Sequence, residues 1–248
     1  MIHPHSIDKP TILPEPIRRH LLLGMALLAG SSVAGVPLAV GSEPTRVLVL
    51  GDSIAAEYGI SRGSGWVALL ADRAGERVRF TNASISGETT SGGRTRLPGL
   101  LAEHRPDVVI IELGANDALR GLQLEASEEN LDAMVGAARA ADAGVLVLGM
   151  QVPPNYGRRY TERFAAMFET VAKRHRVALV PFLLDSIATD LGYFQDDRIH
   201  PNESAQPLIA ETVWPVLSPL LGRTGTAHAT TGRPVAGARD RDRTGKAG

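Results

Sequence analysis

The sequence predicts an α/β domain of three layers, in which a five-stranded parallel sheet lies between helices. Two observations predict it. Short runs of valine, isoleucine and leucine recur between about Thr45 and Leu221, nearly continuous rather than alternating, as strands covered on both faces should be. Longer amphipathic stretches separate them, and alternation of strand with helix implies parallel pairing through right-handed crossovers.

The elements follow in order. A first strand over Arg46–Leu50 ends at Gly51-Asp52-Ser53, and a helix is predicted over Trp66–Ala74. Arg77–Asn82 is the second strand and Gly92–His104 the second helix. Val108–Leu113 and Glu128–Ala141 form the next pair, then Gly144–Met150 and Arg158–Lys173, then Val177–Val180 and Ala205–Leu217. No internal repeat and no second domain is visible. In such sheets ligands bind beyond the carboxyl ends of the strands. The loops there read "GDSIAAEYG", "NASISGETTSGG", "GANDALRG", "QVPPNYGRRY" and "FQDDRIHPN", and all of them carry polar residues.

The two ends read differently. Arg18 and Arg19 precede the apolar run "HLLLGMALLAGSSVAGVPLAVGS", a charged region followed by a hydrophobic one, with small residues at Ala34, Gly35, Ala39 and Gly41. Residues 1–44 are therefore expected to be an export signal and linker, directing the chain to the periplasm or outside the cell. The alternative is a membrane anchor over residues 20–40, which glycine, serine and proline within the run disfavour. From Gly222 onward large apolar residues are nearly absent, so residues 222–248 are expected to be a disordered tail. The folded domain is expected over 45–221.

Composition removes several classes of function. The 248 residues carry a formal net charge of −1, and aromatic residues make up only 4%, so nothing points to nucleic acid. Cysteine is absent, which excludes disulfides, thiolate metal sites and a cysteine nucleophile. Covalent chemistry would have to use a hydroxyl, carboxylate, lysine or histidine.

Elimination isolates one histidine. His3, His5 and His20 fall in the export segment and His228 in the tail, while His104 and His175 sit where helices end and the helix dipole favours them. His200 has no such explanation, and Asp197 stands three residues before it. That spacing places both on one face of a helical turn, where a carboxylate can orient an imidazole. No second histidine or HExxH pattern accompanies them, so no metal site is expected. With Ser53 they supply a nucleophile, a base and an orienting acid. Each has a plainer reading: Asp52 or Ser53 as a helix cap, and the Asp–His pair as a cap before Pro201. An acyl-transfer site also needs donors for the oxyanion. The backbone N–H groups of Ser53 and Gly87 and the side-chain amide of Asn116 are the candidates. Taken singly, Gly87 also reads as a turn glycine and Asn116 as an Asx-turn residue.

"LGDSIAAEYG", "NASISGETTSGG", "ELGANDALRG", "PPNYGRRY" and "DDRIHPN", in this order and spacing, resemble the SGNH (GDSL-like) hydrolase superfamily. The likeness is nearest to its bacterial arylesterase, acyl-CoA thioesterase I and lysophospholipase group, and it covers Val47 to Leu217. It implies a flavodoxin-like sheet in the order 2-1-3-4-5 and metal-free hydrolysis of acyl esters and thioesters by a monomer without a cofactor. It also implies that Ser53, Gly87, Asn116 and His200 are the four residues of the superfamily's name, with Asp197 rather than Asp196 as the catalytic acid. The long amino-terminal extension and the tail have no counterpart in the family core. Glu57 stands where relatives often have a small residue. The rival readings are a carbohydrate or peptidoglycan O-acetylesterase, a binding module using the same crevice, and phosphoryl chemistry at Asp52. Few aromatics, a complete set of candidate residues and the lack of a P-loop speak against them in turn.

Overall fold

The computed structural model describes residues 43–222; the predicted export segment, up to Ser42, and the tail after Gly222 lie outside the described residues. Five strands, β1 (Thr45–Gly51), β2 (Val78–Asn82), β3 (Val108–Glu112), β4 (Gly144–Leu148) and β5 (Ala178–Val180), form one parallel sheet in the order β2-β1-β3-β4-β5. This is the predicted order. All of β3 and the last five residues of β1 are buried, which is why these central strands read as unbroken apolar runs.

Six helices surround the sheet: α1 (Trp66–Ala74), α2 (Thr90–His104), α3 (Ala115–Leu119), α4 (Leu124–Ala140), α5 (Arg158–His175) and α6 (Gln206–Leu221). α1 packs against α6, and α2, α4 and α5 lie side by side, giving the three layers. Among the described residues no helix is long and apolar enough to cross a membrane.

The differences from the sequence reading have local causes. α3 lies in the segment predicted as a loop, because a helix of five residues shows no apolar period. It starts after Gly114, whose φ of 128° suits glycine alone. α4 starts at Leu124 rather than Glu128, and buries Leu124 and Ser127 in that added turn. α6 runs through Pro215 and continues past Leu217 and Pro219 to Leu221, held by its buried stripe Ile209, Val213 and Leu217. His104 and His175 end α2 and α5 as expected, and His175 bonds Asp132 at 2.9 Å.

Candidate active site

The nucleophile candidate is mounted where β1 stops. β1 ends in register with Glu112 of β3, and a Cβ on Gly51 would lie 2.6 Å from the Glu112 Oε2. Only glycine fits that close approach. The chain then turns without forming a regular helix: Ala56 N–H donates to Asp52 O at 2.9 Å and Tyr58 N–H to Ser53 O at 3.2 Å. Asp52 does the capping, because its Oδ1 accepts the Ile54 N–H at 3.1 Å. Ser53 is left for another task. Its Oγ lies 2.9 Å from His200 Nε2.

His200 reaches Ser53 from a loop after β5. Its Nδ1 is 2.6 Å from Asp197 Oδ2, while Asp197 Oδ1 accepts the N–H of Ile199 at 2.9 Å and of His200 at 3.0 Å. The two residues meet as predicted, but not on a helical turn. Arg198, between them, has a φ of 58°, and the loop is closed by a bridge between Phe194 and Pro201. The left-handed residue folds the chain tightly enough for the carboxylate to bond both backbone and ring. Desolvation alone would raise the Asp197 carboxyl, but the bonds from His200 and Ile199 hold it down at about 2. It is ionised at neutral pH.

Two buried bonds tie the serine loop to the histidine loop. The fully buried Trp66 donates through Nε1 to Ile54 O at 3.2 Å and through its N–H to Gln206 Oε1 at 3.0 Å. Gln206 in turn donates to Asn202 O at 3.1 Å, two residues after His200.

The other oxyanion candidates lie on segments that contact the serine turn: Asn116 bonds Asp52, and Ile85 N–H in the Gly87 loop donates to Gly51 O at 3.0 Å. Asn116 stands in the first turn of α3 and donates through Nδ2 to Asp52 Oδ2 at 3.0 Å. An amide nitrogen carries two protons, so one remains for a ligand. Gly87 has a φ of 79°, and its carbonyl accepts from Arg120 Nη2 at 2.8 Å, which fixes this loop to the end of α3. Gly87 therefore also holds the turn position of its plainer reading, whereas Asn116 lies in α3 and its side chain bonds Asp52 rather than closing an Asx turn. Among the described residues the N–H groups of Ser53 and Gly87 donate to no protein acceptor.

Sequence reasoning passed over what lies beneath. Glu112 reads as the end of an apolar strand, yet its carboxyl is buried and accepts the Asp52 N–H at 3.1 Å. Burial, and then the charge of Asp52, push Glu112 well above the usual carboxylate range. Burial also lifts Asp52 to about 6, opposed by the Ile54 N–H, the Asn116 amide and His200. Asp117 was also missed. Its carboxylate accepts the N–H and the hydroxyl of Thr90 and the Ser127 hydroxyl, joining α3 to α2 and α4. The only signal for either acid was its place at the carboxyl end of a strand.

The same end of the sheet carries a groove of about 910 Å³ between the α3–α4 connection and the start of α5, lined in part by Leu122, Leu124, Tyr156 and Tyr160. Among the described residues no three His, Asp or Glu side chains are grouped to hold a metal ion.

Comparison with known proteins agrees with this geometry. Residues 49–206 match the GDSL-like lipase/acylhydrolase family. The chain is 48% identical over 199 residues to the esterase TesA of Pseudomonas aeruginosa, covering 79% of this chain and 99% of that one. It is 43% identical over 175 residues to thioesterase 1/protease 1/lysophospholipase L1 of Escherichia coli strain K12, covering 71% of this chain and 84% of the relative. The crystal structure of the psychrotrophic esterase EstA from Pseudoalteromonas sp., inhibited by monoethylphosphonate, superimposes with a TM-score of 0.68 at 38% identity, over 72% of this chain and all of that one. With one fold, one order of motifs and this degree of identity, the chain belongs to the GDSL-like lipase/acylhydrolase family.

Proposed function

We propose that the protein hydrolyses acyl esters and acyl thioesters through an acyl-enzyme on Ser53. The observation that carries this reading is the unbroken line from Ser53 Oγ to His200 Nε2, at 2.9 Å, and from His200 Nδ1 to Asp197, at 2.6 Å. A serine hydroxyl attacks poorly until a base takes its proton. His200 takes it as Ser53 attacks the carbonyl carbon, and the ionised Asp197 holds the imidazole in the tautomer that presents Nε2 as acceptor. The carbonyl oxygen becomes an oxyanion, which the N–H groups of Ser53 and Gly87 and the Asn116 amide receive. His200 then gives its proton to the departing oxygen or sulfur. Water, deprotonated by His200, attacks the acyl-enzyme and Ser53 is regenerated.

The names of the relatives support both classes of substrate. TesA and EstA are called esterases, and the Escherichia coli relative is called a thioesterase and a lysophospholipase. The groove beside α5 has the size for an acyl chain, with Leu122, Leu124, Tyr156 and Tyr160 offering it apolar contact among charged residues such as Arg158 and Arg163. The proposed Ser53, His200 and Asp197 all come from one chain, so the proposed reaction requires no residue from a second copy. The charged-then-apolar pattern of residues 18–41 supports export of the 45–221 domain to the periplasm or beyond. Hydrolysis of a chain-length series of acyl esters and acyl-CoA thioesters tests the reading. Turnover of both series that disappears in Ser53→Ala is expected; activity retained by Ser53→Ala would overturn it.

A further inference from the structure

Tyr58 is an aromatic residue held firmly yet left half exposed beside the reacting groups. Its ring centroid lies 4.5 Å from that of His200, at an interplanar angle of 41°, and 50% of the residue is open to solvent. Its backbone is fixed on both sides: its carbonyl accepts from Gln195 Nε2 at 2.8 Å and its N–H donates to Ser53 O at 3.2 Å.

The residue before it explains how the ring is held. Glu57 has a φ of 58°, a region that costs a non-glycine residue on the order of 1 kcal/mol. Its carboxylate offsets this by accepting the Gly63 N–H on both oxygens at 3.0 Å and the Gly65 N–H at 2.9 Å. The loop from Glu57 to Gly65 is thus clamped onto itself, and its middle is pinned where Ser61 N–H meets Glu203 Oε1 at 2.7 Å. Glycine at position 57 would relieve the backbone but could not make the clamp.

Chemistry says which part of a substrate meets the ring. His200 must pass its proton to the departing atom, so the alcohol or thiol portion lies against the imidazole during collapse of the tetrahedral intermediate. A ring packed on that imidazole borders the leaving group, and the acyl chain points elsewhere. We propose that Tyr58 is the leaving-group platform of this site, taking planar aromatic alcohols face to edge or offset, and that Glu57 is the residue that positions it. The proposal rests on the acyl-enzyme reading above.

The test uses two butyrate esters, phenyl butyrate with a planar aromatic leaving group and 2,2,2-trifluoroethyl butyrate with a non-aromatic one, and compares each variant with the parent on both, so that their different leaving-group acidities cancel. Tyr58→Leu keeps an apolar side chain on His200 but removes the ring. It should lower kcat/KM for the phenyl ester about three- to tenfold more than for the trifluoroethyl ester, the range of a single aromatic pair. Tyr58→Phe should restore the preference. Glu57→Gly, which removes both the strain and the clamp, should reduce the same preference in part, with the trifluoroethyl ester as the internal reference. Equal losses on both esters, or no loss on either, would overturn the platform; an unchanged ratio in Glu57→Gly would overturn the role of Glu57. Should Ser53→Ala still turn over both esters, the acyl-enzyme reading fails instead, and the two failures are told apart.

Discussion

Asn116→Ala separates a transition-state donor from a residue that only closes a turn. One proton of the Asn116 amide is spent on Asp52 Oδ2 at 3.0 Å, and the proposed reaction assigns the other to the oxyanion. Losing an oxyanion donor costs about 3–4 kcal/mol in the transition state, or roughly 10²–10³ in kcat, with little change in KM. Losing the bond to a buried carboxylate costs about 1.5–3 kcal/mol of folding stability, which for a domain of this size lowers Tm by roughly 3–12 °C. Both effects should therefore appear together. The assay is kcat and KM on a short-chain aryl ester, with thermal melting of the same preparation. A clear fall in Tm with kcat within about threefold of the parent would refute the donor role.

Other expectations follow from the carboxylates. Asp197 is held below its ordinary value, at about 2, so its contribution to stability is complete above about pH 4 and is lost as the pH falls toward 2; acid unfolding followed by circular dichroism should show less of that slope in Asp197→Asn. The same variant should keep a measurable remnant of activity, roughly 10³–10⁴ below the parent, because the nucleophile and donors remain. Asp52 behaves oppositely. Its carboxyl is raised to about 6 in the fold, so its ionisation disfavours the native state progressively from about pH 4 to pH 6, and Asp52→Asn should flatten stability against pH across that window. Glu112→Gln should be mild, since the amide oxygen can still accept from Asp52 N–H. Glu112→Ala should cost about 1–3 kcal/mol by leaving that buried donor unpaired, a difference that chemical denaturation would read.

What could be read in the sequence follows from how each element is specified. β1 and β3 are buried on both faces, so their apolar runs identify them without knowledge of the rest of the fold. Ser53 and His200 emerged because a parallel sheet concentrates chemistry at one end and because every other histidine had an explanation. Where two distant segments meet, the sequence was silent. Glu112 hides in "VVIIEL", and only the register with Gly51 shows that its carboxyl supports the serine turn. Asp197 and His200 were expected on a helical turn, but the left-handed Arg198 makes a tighter one. Glu57 looked merely unusual until its carboxylate was found on Gly63 and Gly65. The tilted packing of Tyr58 against His200 joins residues far apart in the chain, and local pattern carries no trace of it.

The central claim is that Ser53 carries the acyl group, and a serine-directed phosphonate tests it most directly. The parent enzyme, incubated with the reagent and analysed by peptide mass spectrometry, should be labelled stoichiometrically at Ser53 as activity disappears, and His200→Ala should label far more slowly because the base is gone. Stoichiometric labelling that persists in Ser53→Ala, at another residue and with the same loss of activity, would contradict the account.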